Sequence, residues 1–290
     1  MKPAPFTYVA PRSLDDALDT LRDADDDTKL LAGGQSLIPI LNMRLARPAR
    51  LVDLNRVPEL AYVEERDGGY AIGAMTRDSA VERDERVRRD LPLLAEAIGY
   101  VGHPQIRNRG TIGGSLAHGD PSAELPAVAV CLDARLTIRS PRGTRTVAAG
   151  DLYLGYLTTT LAPDEILTEV WLPKTTANTG HAWLEFARRH GDYAIVGIGV
   201  VLTVANEAIS EARIVVTGVG GVPVRATAAE AVLAGGPPDA ARLGATVDAL
   251  RAAIDPDPDV HATAAYRRHL AGVLLARAAE TAYARSRPWT

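Results

Sequence analysis

Two short stretches hold residue types suited to gripping an anion. The first is Leu31-Ala32-Gly33-Gly34-Gln35-Ser36-Leu37, and the second is Thr111-Ile112-Gly113-Gly114-Ser115. In each, a short apolar strand (Leu30-Leu31-Ala32 in the first, Thr111-Ile112 in the second) is expected to lead into paired glycines, then a small polar residue, then apolar residues again. Glycine has no Cβ, so it takes positive φ and lets backbone approach another group closely. Successive N–H groups in such a turn point inward as an anion nest. A helix starting at Ser36 would add the positive end of its dipole. Two facing nests would share the oxygens of a diphosphate. Taken singly, each Gly-Gly pair reads equally well as an ordinary turn.

Other nucleotide fingerprints fail. No G-x-x-x-x-G-K-[ST] run occurs, which argues against a P-loop enzyme. Gly218-Val219-Gly220-Gly221 lacks the third glycine of a dinucleotide fingerprint and runs into Pro223, so it reads as a turn. Asp120-Pro121 is either a turn starter or a ligand contact. Glu124 stands near a helix start, where the dipole favours an acid whatever its role. Nothing in the sequence pairs His118 with an orienting carboxylate, so it is no candidate for a catalytic base. His103, Arg107 and Arg109 suit bracing of the loop between residues 103 and 121. Cys131 falls in an apolar helix and reads as buried and inert.

These residues need elements to position them. Residues 13–22 read as a helix capped by Ser13, with Leu14, Ala17, Leu18 and Leu21 on one face. Residues 29–32 form a strand entering the first glycine loop, and residues 36–44 a helix leaving it. Strands are expected at 51–54 and 70–74, helices at 79–89 and 93–101. The stretch 103–121 is long enough to be a functional loop. Ser122 would cap a helix over 123–132. Residues 136–140 and 144–147 flank a hairpin turn, and 166–172 form a strand. A boundary is expected in the polar stretch 173–180. Beyond it come β-rich segments at 182–189, 195–204 and 212–219, with Asn206-Glu207 as a turn, then alanine-rich helices at 226–233, 239–254 and 259–285. Strands followed by helices indicate an α+β unit with an antiparallel sheet.

Bulk properties narrow the function. The 290 residues are 47% hydrophobic and 23% charged, with a formal net charge of -4. That balance describes a globular chain and disfavours nucleic-acid binding. One cysteine permits neither an internal disulfide nor an iron–sulfur cluster held by this chain alone. The longest nearly apolar run, residues 194–205, falls well short of the roughly 20 residues of a membrane span. A cytoplasmic protein with no membrane span is expected.

The run from Leu30 to Pro39, together with Asn108-Arg109-Gly110-Thr111-Ile112-Gly113-Gly114-Ser115-Leu116-Ala117-His118 and Asp120-Pro121, resembles the FAD-binding medium subunit of the molybdenum hydroxylases. That family includes xanthine dehydrogenase and aerobic carbon monoxide dehydrogenase. Asp164-Glu165-Ile166-Leu167 and Gly191-Asp192-Tyr193-Ala194 look like later family segments, so the resemblance covers nearly the whole chain. It implies an FAD-binding domain of the vanillyl-alcohol-oxidase type at residues 1–175, built of two α+β subdomains. A small domain follows at 178–290, with a three-stranded antiparallel sheet and a helix bundle. It implies that Leu31 to Leu37 and Thr111 to Ser115 contact the FAD diphosphate, and that Glu124 contacts the adenosine end. Leu167 would lie near the adenine and Tyr193 near the isoalloxazine, with Thr76, His118 and Asp120 as further contacts. It also implies two partners, a large subunit binding the molybdenum cofactor and a small [2Fe-2S] subunit, assembled as a dimer of heterotrimers. A stand-alone FAD-dependent oxidase or dehydrogenase acting on a small organic substrate is the alternative.

Overall fold

The computed structural model describes residues 1–286. The first layer is a three-stranded parallel sheet. It comprises β1 (Thr7–Val9), β2 (Thr28–Leu31) and β3 (Arg50–Asp53), in the order β1-β3-β2, with α1 (Leu14–Thr20) and α2 (Leu37–Asn42) between its strands. Ser13 caps α1, its hydroxyl accepting from the Asp16 N–H at 3.1 Å. Leu14, Ala17, Leu18 and Leu21 are buried as the periodicity requires, against Val52, Leu54 and Leu60.

A second sheet follows. Its early strands are β4 (Val63–Arg66) and β5 (Gly69–Gly73), followed by α3 (Asp78–Arg83), α4 (Glu85–Asp90), α5 (Pro92–Ile98), α6 (Pro104–Arg107), α7 (Ile112–His118) and α8 (Glu124–Cys131). Strands β6 (Arg135–Ser140) and β7 (Gly143–Ala148), the small hairpin β8 (Tyr153–Gly155) and β9 (Thr158–Thr159), and β10 (Ile166–Pro173) complete this part. The sheet order is β4-β5-β10-β6-β7, antiparallel throughout.

The last part contains β11 (Thr179–Phe186), β12 (Val196–Ala205), β13 (Ala208–Thr217) and the two-residue edge strand β14 (Val224–Arg225), then α9 (Thr227–Leu233), α10 (Ala240–Ala253) and α11 (Ala264–Arg285). Strands β11, β12 and β13 form the expected antiparallel sheet, with β14 added at its edge. Asn206 and Glu207 both take positive φ, 50° and 63°, which is the twist a two-residue hairpin needs.

The structure corrects four local expectations. The helix expected at 79–89 breaks at Asp84, whose extended backbone (ψ 114°) lets its carboxylate cap α4 through the Arg86 N–H. Thr111-Ile112 is no strand; Thr111 makes a single bridge with Arg77 and then caps α7. Ser122 caps nothing, because α8 starts from Ala123 without a side-chain cap. The last helix begins at Ala264, later than the expected 259, with Thr263 as its cap. Helix α8 is buried along its whole length, packed against α5 and α7 and against β12 and β13 of the C-terminal sheet.

Candidate functional site

A cleft of about 620 Å³ opens where the first and second parts meet, and both glycine segments line it. Strand β2 delivers the first. Gly34 sits at φ +77°, where an L side chain is strained, and Ser36 then turns into α2. Among the described residues, the N–H groups of Gly34, Gln35 and Ser36 have no acceptor, while the Gly34 and Ser36 carbonyls accept from Ile38 and Ile40. Three successive free donors on a left-handed turn make the nest that the sequence suggested.

The second segment works differently. The Ile112 and Gly113 amides donate to the carbonyls of Thr76 and Ala74 at 3.1 and 2.9 Å, and the Ser115 amide donates to the Thr111 carbonyl at 3.0 Å. The Gly114 amide donates to the Thr111 hydroxyl oxygen at 3.1 Å. No amide nest faces the cleft here, and none of these residues takes positive φ. The glycines serve close packing instead. A Cβ on Gly113 would stand 2.3 Å from the Ala74 Cβ, and one on Gly33 would stand 2.3 Å from the Arg109 carbonyl oxygen. Gly33 is therefore the contact that lets the first loop lie on the second. What the second segment offers a ligand is the Thr111 and Ser115 side chains.

A polar brace holds the two loops in register. The Asn55 amide donates to the Ala32 carbonyl at 2.8 Å and to Asp53 Oδ1 at 2.5 Å. Its Oδ1 accepts from Arg77 Nη2 at 2.5 Å, and Arg77 Nη1 donates to the Arg109 carbonyl. Tyr8 Oη closes the chain on Asp53 Oδ2 at 2.5 Å. Arg107, expected to brace this loop, does so: it is buried, pairs with Glu82 at 2.9 Å and donates to the Val101 carbonyl at 3.1 Å.

Two acids in the cleft wall are buried. Burial is the main cause that pushes Glu124 up to about 8, helped by the neighbouring charges of Glu185, Asp120 and Asp78. Asp78 is pushed up to about 7 by burial, against the pull of Arg77 and Arg107. Asp120 Oδ1 accepts from the Ser122 N–H at 2.8 Å, the turn role weighed for Asp-Pro. Tyr193 lines the cleft with Ser36, and burial is the main cause that raises its phenol above the ordinary value, helped by the charges of Asp120 and Glu124. The opposite wall, residues 161–167, is pinned by Arg145, which pairs with Glu165 at 2.7 Å while Glu165 accepts from the Ala162 N–H.

The cleft brings together Ala32 to Leu37, Thr111, Gly113 to Ser115, His118, Asp120, Glu124, Leu167 and Tyr193. Leu31, Ile112 and Thr76 lie elsewhere. Leu31 packs under Gly34, and Ile112 is buried in the core. The Thr76 hydroxyl exchanges hydrogen bonds with the Tyr62 backbone in a separate groove. Sequence reasoning missed Asp78 and the Asn55–Arg77 brace, because no motif marks them. Cys131 is fully buried, with its thiol pushed up to about 12.

An open cleft bounded by two glycine segments, with unpaired amides and hydroxyls along one stretch and apolar walls beyond, defines a nucleotide-binding protein. The glycine cradle, the free donors of residues 34–36 and the protonatable acids all fit a dinucleotide diphosphate and its sugar hydroxyls. The family models resolve which one. Residues 4–175 match the FAD binding domain in molybdopterin dehydrogenase, and residues 181–282 match the CO dehydrogenase flavoprotein C-terminal domain. The chain belongs to this family of FAD-binding oxidoreductase subunits. It is 42% identical over 289 residues to the 6-hydroxypseudooxynicotine dehydrogenase complex subunit alpha of Paenarthrobacter nicotinovorans, covering 99% of this chain and 98% of the relative. It is 37% identical over 285 residues to the carbon monoxide dehydrogenase medium chain of Hydrogenophaga pseudoflava, covering 98% and 99%. Among solved structures, carbon monoxide dehydrogenase from the same organism superposes with a TM-score of 0.96 at 40% identity over 98% of this chain and 99% of that one. Quinoline 2-oxidoreductase from Pseudomonas putida 86 follows at 0.94 and 34%, covering 99% of both.

Proposed function

We propose that this chain is the electron-relaying flavoprotein of a three-component molybdenum hydroxylase. It would take electrons from [2Fe-2S] clusters on a small partner subunit and pass them to an external acceptor, while a large subunit carries the molybdenum cofactor and chooses the substrate. The observation that carries this reading is the cleft lined by both glycine segments, in a chain similar end to end to medium subunits of multi-subunit dehydrogenases. Bound FAD supplies one- and two-electron redox chemistry, and the chain's task is to hold the ring and tune its surroundings.

The residues divide that task. The amides of Gly34, Gln35 and Ser36 face the diphosphate, with the Thr111 and Ser115 hydroxyls on its other side. Glu124, kept protonated by burial, donates to a hydroxyl at the adenosine end, where Leu167 contacts the adenine. Tyr193, on the cleft lining with Ser36, stands at the ring end and controls access of the acceptor. Residues 1–175 form the FAD unit and 178–290 the small domain. The complex is a dimer of heterotrimers acting in the cytoplasm.

Affinity purification of this chain from the cells that naturally make it tests the reading. The expected result is a yellow complex with two further chains, iron and molybdenum. A chain that gains no flavin absorbance on reconstitution with FAD would overturn the cofactor site. A flavin-loaded chain that copurifies alone, and whose flavin is reduced directly by a small substrate, would overturn the relay.

A further inference from the structure

Asp78 is a buried carboxyl with work still unassigned. It is 2% exposed, its Oδ1 has no hydrogen-bond partner among the described residues, and it lines the cleft. Its backbone is fixed by the antiparallel pairing of Arg77 with Thr111, in which the Asp78 N–H donates to the Gly110 carbonyl at 3.1 Å. That pairing presses the carboxyl against Gly110, where a Cβ would stand only 2.1 Å from Asp78 Oδ2. A Cβ on Gly33 would lie 2.9 Å from the Cα of the same Gly110. Asp78 therefore sits beside the place where the first glycine segment lies on the backbone leading into the second. The charges facing it are Arg77 and Glu82 from its own segment, Arg107 from α6 and Glu124 from α8. Both arginines are engaged elsewhere, Arg107 with Glu82 and Arg77 with Asn55 and the Arg109 carbonyl. Among the described residues no cation forms a salt bridge with this carboxyl, so an ionised Asp78 would repel a diphosphate placed between the loops, whereas a protonated one would donate to it.

We infer that Asp78 is a further cofactor-binding residue, donating a hydrogen bond from its protonated carboxyl to a phosphate oxygen of FAD, so that FAD binding is coupled to uptake of one proton from solvent. The inference rests on the FAD site proposed above. Its pH window follows from a free carboxyl titrating at about 7, below the onset expected for Glu124 at about 8.

The test uses the full chain stripped of flavin. FAD affinity is measured by flavin fluorescence from pH 6 to 9, and proton uptake by calorimetry at pH 8 in two buffers of different ionisation enthalpy. Wild type should lose affinity on the order of 1000-fold across that range, about 100-fold of it through Asp78 and about tenfold through Glu124, with the loss starting near pH 7. It should also take up more than one proton per FAD, and the Glu124→Gln variant should take up close to one and keep that onset. Asp78→Asn should bind FAD at pH 6 and show no loss until Glu124 ionises. If Asp78→Asn does not fold, the proton count in wild type and Glu124→Gln decides alone. FAD binding without proton uptake, or an unchanged pH profile in Asp78→Asn, overturns the role of Asp78 and leaves the site standing. No FAD binding at any pH overturns both.

Discussion

Gly33→Ala is the sharpest probe of the loop-on-loop contact. Alanine at this position would place its Cβ 2.3 Å from the Arg109 carbonyl oxygen and 2.9 Å from both the Arg109 carbonyl carbon and the Gly110 Cα. Normal carbon–oxygen contact is nearer ~3.3 Å, so the overlap is about 1 Å, and the obstructing atoms are backbone that cannot rotate away. The two loops must part by that distance. Overpacking of this kind costs about 1–3 kcal/mol, and if closing the loops on FAD demands the same work, affinity falls about 5- to 150-fold. Parting the loops also strains the Asn55 and Arg77 bonds that join them. The assay is an FAD titration of the stripped chain beside a thermal melt of the same preparation. Gly150→Ala is the control, because nothing lies within 4 Å of its added Cβ. A Gly33→Ala chain that binds FAD within about twofold of wild type, and melts within about a degree of it, would refute the packing reasoning.

Three further outcomes are expected. Asn55→Ala leaves the Ala32 carbonyl and the Arg77 guanidinium short of a partner, so the chain should lose about 1–3 kcal/mol in urea unfolding and release FAD faster. Glu124 titrates at about 8 in the folded chain against an ordinary 4.5, so the folded state holds a proton that the unfolded state gives up. The stability that Glu124 contributes to the flavin-free chain should therefore fall as pH climbs from about 4.5 to 8, by at most ~1.4 kcal/mol per unit, and Glu124→Gln should shrink the overall slope, to which Asp78 also adds, in urea midpoints measured at several pH values. Native Cys131 should resist a thiol reagent at pH 8 and react fully in denaturant, since burial suppresses its thiolate; rapid labelling of the folded chain would contradict its placement.

Sequence and structure agree best where a signal is local. Helix α1 was legible from four leucine and alanine positions and a serine cap, and the hairpin at Asn206-Glu207 from two turn-prone residues between β-branched runs. The two glycine segments were legible as a pair, yet their physics was half misread. The spacing of Gly113-Gly114 looks like that of Gly33-Gly34, but one pair lies in the first turn of a helix with its amides spent, and the other lies on an open turn with its amides free. Sequence cannot distinguish these, because a glycine needed for a neighbour's Cβ looks the same as one needed for a ligand. Asp78 and Asn55 were invisible for a related reason. Each acts through a residue far away in the chain, Gly110 for one and Ala32 for the other. Asp84 shows the converse, a helix breaker whose capping role is plain once the break is seen.

Helix α8 bears on how such a chain can be taken apart. The core that fills the second part continues past it into Trp183 and Val215 of the C-terminal sheet, and the Cys131 thiol lies 4.0 Å from the Gly199 carbonyl on that sheet. The Pro121 carbonyl, just before the helix, accepts from the Thr217 hydroxyl and from the Gly218 N–H at 2.9 Å. Cutting between the two matched regions would leave α8 with a bare oily flank and the chain around Asp120 without its anchor. Chimaeras that exchange the C-terminal portion between relatives should succeed only when the residues facing α8 travel with it. The seam visible in the sequence is therefore no seam in the packing, which runs across it from α8 into β12 and β13.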